Sequence, residues 1–242
     1  MSSTYLGTAL RVRAALAAVL LALAGCGEFP KDSNETLNEV RAGRPLRVGW
    51  SAAEPWVREG QAEPTGLEAE LVRQFAQSIG AKIEWVPAGE AQLVEALAEN
   101  AVDLGIAGFA VDAPWGARIG QTQNYLTTTA VIGAAEGTTL PESWDGVPVR
   151  YDRRRPQFDA LLRGIGAEPV PVEPGGDLKP IGAAYAQELG PHGLFPTGET
   201  LLTEDRVIAT PPAENALAIA LDRFLHSREG WIAERVAAEA RR

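Results

Sequence analysis

One cysteine, Cys26, and two histidines, His192 and His226, are all that 242 residues supply of the side chains that most often hold metals or activate nucleophiles. A lone cysteine can form no disulfide within its own chain, so an exported form must take its stability from an apolar core. No His/Cys cluster has metal-ligand spacing, and a Ser–His–Asp or Cys–His catalytic arrangement has almost nothing to draw on. His226 follows Leu225 in a closing helix, where packing or a surface position accounts for it. Long apolar runs are missing too. Ala14–Leu23 falls well short of the roughly 20 residues that span a bilayer as a mature helix. Positive charge is scarce, with 22 Lys and Arg against 32 Asp and Glu, a net charge of −10. So acidic a chain is a poor partner for nucleic acid or anionic lipid headgroups. No cofactor motif is present.

What is present begins with an address. Arg11 and Arg13 precede Ala14–Leu23, a basic flank and short apolar run that predict a secretory signal over residues 1–25. The run ends in Leu23-Ala24-Gly25-Cys26, which resembles a bacterial lipobox. That resemblance implies cleavage before Cys26 and its diacylation, with the membrane held through the lipid. A plain signal peptide with an accidental cysteine is the alternative. Cleavage leaves 20 basic and 32 acidic residues, a net charge of −12. Gly27 after the cysteine is permissive for sorting to an outer membrane. Residues 26–43 are polar, with Pro30 early and a weak helical pattern around Leu37 and Val40. They predict a tether ending in a short helix.

With 45% hydrophobic residues, 25 Gly and 17 Pro, the remainder suffices for one sizeable domain or two small lobes. Its best-written element is Pro64–Ile79. Thr65 and Glu68 have the spacing of a capping box, and Leu71, Val72, Phe75 and Ile79 recur on one helical face. Strands are expected at 44–50, 81–86 and 102–108, with a second helix over 90–100. The order β-α-β-α-β with short connections predicts an α/β architecture with a parallel sheet. Farther along, strands are expected at 147–151 and 170–172, with Pro169 and Pro171 confining the latter to an edge. Helices are expected at 156–164 and 181–189. A strand over 206–210 precedes two closing helices, the first entered through Thr210-Pro211.

The segment Gly66-Leu67-Glu68-Ala69-Glu70-Leu71 resembles a signature of the family 3 extracellular solute-binding proteins. Asn100-Ala101-Val102-Asp103-Leu104 is similar to the same family's strand leading into its ligand site. The resemblance covers roughly residues 45–240. It implies a two-lobed periplasmic-binding-protein type II fold, each lobe a mostly parallel sheet flanked by helices. Lobe one would be residues 44–133 and 206–242, and lobe two a short 134–205. It implies a monomeric, extracytoplasmic receptor, not an enzyme, that closes on a small polar or charged solute and delivers it to an ABC permease. Asp103 is expected to be structural or solvated.

Carried over position by position, the family's ligand-gripping groups are largely replaced. Ser51, following Trp50, stands where an acid would meet an amine. Ala110, after Gly108, replaces a threonine. Trp115 takes the position of the arginine that would fork a carboxylate, Arg118 lies three residues late, and Glu90 replaces an aromatic platform. In lobe two, Arg153-Arg154-Arg155 follows the strand where a Gly-Thr turn would stand, either as an anion site or as a solvated turn. A buried zwitterion without partners costs several kcal/mol, so ordinary α-amino-acid binding in the family's manner is not expected. Trp50, Trp56 and Trp115 beside Glu54, Glu90 and Asp112 suit an organic cation. Packing tryptophans beside solvated acids are the alternative. Three readings stay open: a transport receptor, a non-transporting receptor or accessory lipoprotein, and, more distantly, a dehydratase-like enzyme using Glu54 or Glu90.

Overall fold

The computed structural model describes residues 32–239. The expected signal and Cys26 lie outside them. In chain order the first elements are α1 (Thr36–Arg41), β1 (Leu46–Trp50), α2 (Leu67–Ser78), β2 (Ile83–Pro87), α3 (Glu90–Ala98) and β3 (Leu104–Ile106). Strands β4 (Gly120–Gln121), β5 (Leu126–Ala134) and β6 (Pro148–Asp152) follow, then α4 (Gln157–Gly164), β7 (Glu168–Val172) and β8 (Ile181–Tyr185). The chain closes with a 3-10 turn (Ala186–Glu188), β9 (Phe195–Arg206), β10 (Ala209–Thr210), α5 (Asn215–His226) and α6 (Glu229–Glu239).

These strands form two five-stranded sheets. The first has the order β2-β1-β3-β10-β4, with β1, β2 and β3 parallel as the alternating pattern predicts. β10, arriving from the far end of the chain, runs antiparallel to both neighbours. The second has the order β7-β6-β8-β5-β9, with β6, β7 and β8 parallel and the long β5 and β9 antiparallel. Both sheets are therefore mixed: in each, a single strand, β10 or β5, runs against an otherwise parallel set. The long returns that carry the chain out and back enter the sheets in the opposite sense.

Helix α2 lays Leu71, Val72 and Phe75, all fully buried, against the first sheet and α5. The Phe75 and Phe224 rings sit 5.6 Å apart. The capping box is not formed. The helix starts at Gly66, whose φ of 100° favours glycine, and a Cβ there would lie 2.5 Å from the Trp56 carbonyl oxygen. That carbonyl accepts from the Glu68 N–H at 3.2 Å, while Thr65 is occupied in backbone pairing with Arg58. The Glu68 carboxyl, freed of capping duty, points inward and is fully buried.

Asp103 is also inside, 1% exposed, not solvated. It accepts from both guanidinium groups of Arg44 and Arg47 and from the Arg47 N–H at 2.8 Å. Burial pushes its pKa up, but the hydrogen bonds from Arg47 and Arg44 outweigh that and hold it below the ordinary value. Within the expected tether, α1 buries Leu37 and Val40, and the Ser33 hydroxyl and Asn34 N–H each donate to Glu214 at 3.0 Å.

In the second sheet, the expected helix at 181–189 is strand β8 followed by the 3-10 turn. Its five residues Ile181–Tyr185 are buried throughout at the centre of the sheet. An unbroken apolar run of that length carries no period by which helix and strand can be told apart. β7, with its two prolines, takes the edge as expected. Phe158 of α4 packs between Tyr151 and Tyr185, with centroids at 6.5 and 5.8 Å.

Candidate functional site

The two sheets meet where β5 and β9 carry the chain across, and the ends of β1 and β3 face the ends of β6 and β8. A chamber of about 680 Å³ opens there, lined from one side by Glu54, Trp56, Glu90 and Gly108, and from the other by Arg154, Gln157, Tyr185 and Glu204. Arg206, at the end of β9, lines it as well. An adjoining chamber of about 430 Å³ shares Glu90, Gly108, Glu204 and Arg206 and adds Ala110, Asp112 and Asp205. Segment 109–111 is brought there by pairing with the return strand: Val111 donates to the Asp205 carbonyl at 2.9 Å and Val207 to the Phe109 carbonyl at 3.0 Å.

Two buried charges organise this junction. Arg206, 5% exposed, donates through Nε to the Thr128 hydroxyl at 3.2 Å and through one terminal nitrogen to the Gly108 carbonyl at 2.6 Å. Its other terminal nitrogen donates to the Tyr185 hydroxyl at 3.2 Å and to the Glu204 carboxylate. The guanidinium also lies 5.2 Å from the centre of the Trp56 ring. On the far side of Gly108, Glu68 accepts from the Gly108 N–H at 3.1 Å and from the Tyr125 hydroxyl at 2.6 Å. Burial lifts the Glu68 pKa from 4.5 to about 6, against the Tyr125 and Gly108 hydrogen bonds and the Arg206 charge. Burial, with the Glu68 charge, also pushes Tyr125 well above its ordinary value. Gly108 is clamped between them at φ 63°, and a Cβ there would meet Trp56 Cδ1 at 2.6 Å.

The arginine run that follows β6 divides its duties. Arg153 pairs with Glu173, and Arg155 forks Glu188 while lying 5.0 Å from the Tyr185 ring centre. Only Arg154 of the three lines the larger chamber, holding Asp152 and reaching across to Glu54 at 3.0 Å. None of the three is an unengaged anion site.

Of the residues singled out from the sequence, Glu54, Trp56, Glu90, Gly108, Ala110 and Asp112 line the chambers, as does Arg154. Trp50, half-buried, packs against the core, and the Ser51 N–H continues the sheet by donating to the Ile106 carbonyl at 3.0 Å. Trp115 stands behind Glu90, donating Nε1 to its carboxylate at 2.7 Å. Arg118 is exposed and lines neither chamber. The Trp56 face that suits a cation already carries Arg206. Glu54 and Glu90 are exposed, so neither has the dry surroundings of an acid–base carboxylate. Glu68, Tyr185, Glu204 and Arg206 escape sequence reasoning. The one signal is Arg206 at the head of the returning Arg206–Thr210 strand. Among the described residues, no group of three or more His, Cys, Asp or Glu could hold a metal ion. No helix among them is long and apolar enough to cross a membrane.

The sequence pattern of one family, described as "Bacterial extracellular solute-binding proteins, family 3", matches residues 46–230. The chain belongs to that family. Family 3 members are extracytoplasmic. An ancestral cationic amino acid solute-binding protein superposes with a TM-score of 0.66 at 16% identity, over 86% of this chain and all of that one. The L-cystine solute receptor of Neisseria gonorrhoeae, in its unliganded open conformation, gives 0.61 at 15% identity, over 85% and 94% of the chains. A putative ABC-transporter binding component from Wolinella succinogenes, complexed with lysine, gives 0.57 at 15%, over 81% and 93%. These likenesses establish the type II periplasmic-binding-protein fold with two mixed sheets. Membrane-bound lytic murein transglycosylase F of Photobacterium profundum is 34% identical over 87 residues, 36% of this family 3 chain. The chain spans 17% of the length of that curated relative.

Proposed function

We propose that this family 3 protein is a lipid-anchored receptor, held through Cys26, that captures a small cationic solute between its lobes and presents it to an ABC permease. The observation that carries this is the charge of the cleft. Glu54, Glu90, Asp112, Glu204 and Asp205 line the two joined chambers against only Arg154 and Arg206. Both arginines are already engaged by carboxylates of the chain itself. The surplus is negative, and low-dielectric walls strengthen its pull on a cation. Glu90, Gly108, Ala110, Glu204 and Tyr185 are the groups proposed to touch the solute. Contacts from both lobes would favour the closed form, which is how such receptors signal occupancy. The structural likeness to a cationic amino acid binder and to a lysine complex supports the same chemistry. The lobe limits 44–133 with 206–242, and 134–205, and a monomeric state, belong to this proposal.

A thermal-shift screen with lysine, ornithine, linear polyamines and matched dicarboxylates tests it. A ligand at a hundred times its Kd adds about 2.7 kcal/mol of stability. Shifts confined to cations are expected; a response to dicarboxylates alone refutes the reading. The position of Trp115 where the family forks a carboxylate favours a second reading, a non-transporting receptor or accessory lipoprotein. The partial likeness to a murein transglycosylase points the same way. Co-purification of the anchored protein with a permease and its ATPase supports transport, and its failure under conditions that retain other permease complexes supports the second.

A further inference from the structure

We propose that the junction of the lobes contains a built guanidinium site that the chain fills with its own Arg206, so that this residue sets which cations the cleft admits. Occupation of this position by Arg206 follows from its own contacts, while its effect on which cations enter the cleft rests on the cationic reading above.

Every nitrogen of the Arg206 guanidinium has a partner and one face has a ring. Trp56 and Gly108 belong to the first-sheet side; Thr128, Tyr185 and Glu204 belong to β5, β8 and β9 of the second. An aromatic face, a carboxylate, a peptide carbonyl and two hydroxyls, set around a planar fork, are what selective recognition of a guanidinium requires. An ordinary ion pair between Arg206 and its neighbour Glu204 would need neither the Trp56 ring nor the Gly108 carbonyl from the first-sheet side. Gly108 shows how far the backbone is committed. Its carbonyl accepts from Arg206 and its N–H donates to the buried Glu68, at a left-handed φ of 63° where a side chain would strike Trp56. Trp56 and Tyr185, one from each side, also touch edge to face at 5.7 Å around the same guanidinium.

The chain thus acts as its own ligand at this point. The position pins the lobes together through contacts that a free solute would otherwise make. It also excludes alkylguanidinium compounds from the Trp56 face, leaving the acidic chamber beside it to ammonium groups. Removing the side chain should turn the occupied position into a receptor site for a free planar cation.

The test uses the purified protein and its Arg206→Ala variant, titrated with methylguanidinium and with methylammonium at millimolar concentration and followed by melting temperature. The variant should melt lower than the wild type. Methylguanidinium should restore part of that loss and bind about tenfold tighter than methylammonium, since only the planar fork reaches its several acceptors together. The wild type should respond to methylguanidinium much less than the variant. Adding Glu204→Gln to the variant should weaken the rescue. An Arg206→Ala protein that melts like the wild type, or that responds equally to both cations, overturns the proposal. Should the alanine variant not fold, Arg206→Lys is measured by small-angle scattering. That variant keeps the charge and loses the fork, so a larger radius of gyration is expected, and an unchanged one overturns the proposal.

Discussion

Glu68 allows the sharpest physical prediction. Its carboxyl is fully buried, and its pKa rises from 4.5 to about 6 because burial outweighs the hydrogen bonds from Tyr125 and Gly108 and the charge of Arg206. A raised folded-state pKa means that the folded chain holds this proton more tightly than the unfolded chain. Below pH 4.5 both states are protonated and the carboxyl costs nothing for its charge. As pH climbs to about 6 the unfolded chain ionises first, so stability falls, and the loss is complete above the folded value. At about 1.4 kcal/mol per pH unit, the loss is about 2 kcal/mol. For a domain of this size that corresponds to about 4–8 °C in Tm. Glu68→Gln keeps the shape, accepts the Gly108 N–H through its amide oxygen and donates its amide N–H to the Tyr125 oxygen. It has no proton to lose. Denaturant melts of wild type and variant at pH 4.5 and pH 7.5 should therefore show the wild type losing about 2 kcal/mol more than the variant over that interval. Comparing the two slopes removes every other titrating group. Equal slopes, or a wild type that gains stability relative to the variant as pH rises, would mean that burial does not hold the Glu68 proton more tightly in the folded chain.

Asp103→Ala strands the Arg47 N–H and two guanidinium groups around a buried gap, and should cost about 2–4 kcal/mol in chemical denaturation. Because its pKa is depressed, the wild-type contribution should vanish as pH falls below the ordinary carboxylate range. Gly108→Ala places a Cβ 2.6 Å from Trp56 at a positive φ, and should cost about 1–3 kcal/mol and blunt any solute-induced shift. Glu54→Gln removes the bridge to Arg154 across the cleft. Both side chains are more than a third exposed, so melting should register less than about 1 kcal/mol, and high salt should abolish the difference.

Local pattern alone determined the stretch from β1 to β3. The apolar stripe of α2, the helix after it and the three strands they join are written at helical and strand spacing, and each element buries the face its own periodicity marks. The solute-binding resemblance was legible in the same stretch, at Gly66–Leu71, and its family matches residues 46–230. Where local pattern is silent, the sequence misleads. Ile181–Tyr185 has no polar residue to set a period, and only its neighbours in the sheet make it a strand. Glu68 shows the same limit in a different form: its spacing from Thr65 fits a cap, but the competing partners lie elsewhere in the chain.

Tertiary structure decided the site. Glu68 meets Gly108 and Tyr125 across 40 and 57 residues, and Arg206 meets Gly108 and Thr128 across 98 and 78. Such residues read as solvated charges in sequence, since isolated burial would cost each of them several kcal/mol. They become interior only because the returning strand β9 ends beside the turn after β3, where each finds acceptors or donors for its charge. Composition could say that this chain is acidic, short of cysteine and able to fold around an apolar core. Which acids face the cleft, and which arginine occupies the space between the lobes, depends on contacts that exist only once the two sheets have closed on their shared crossover.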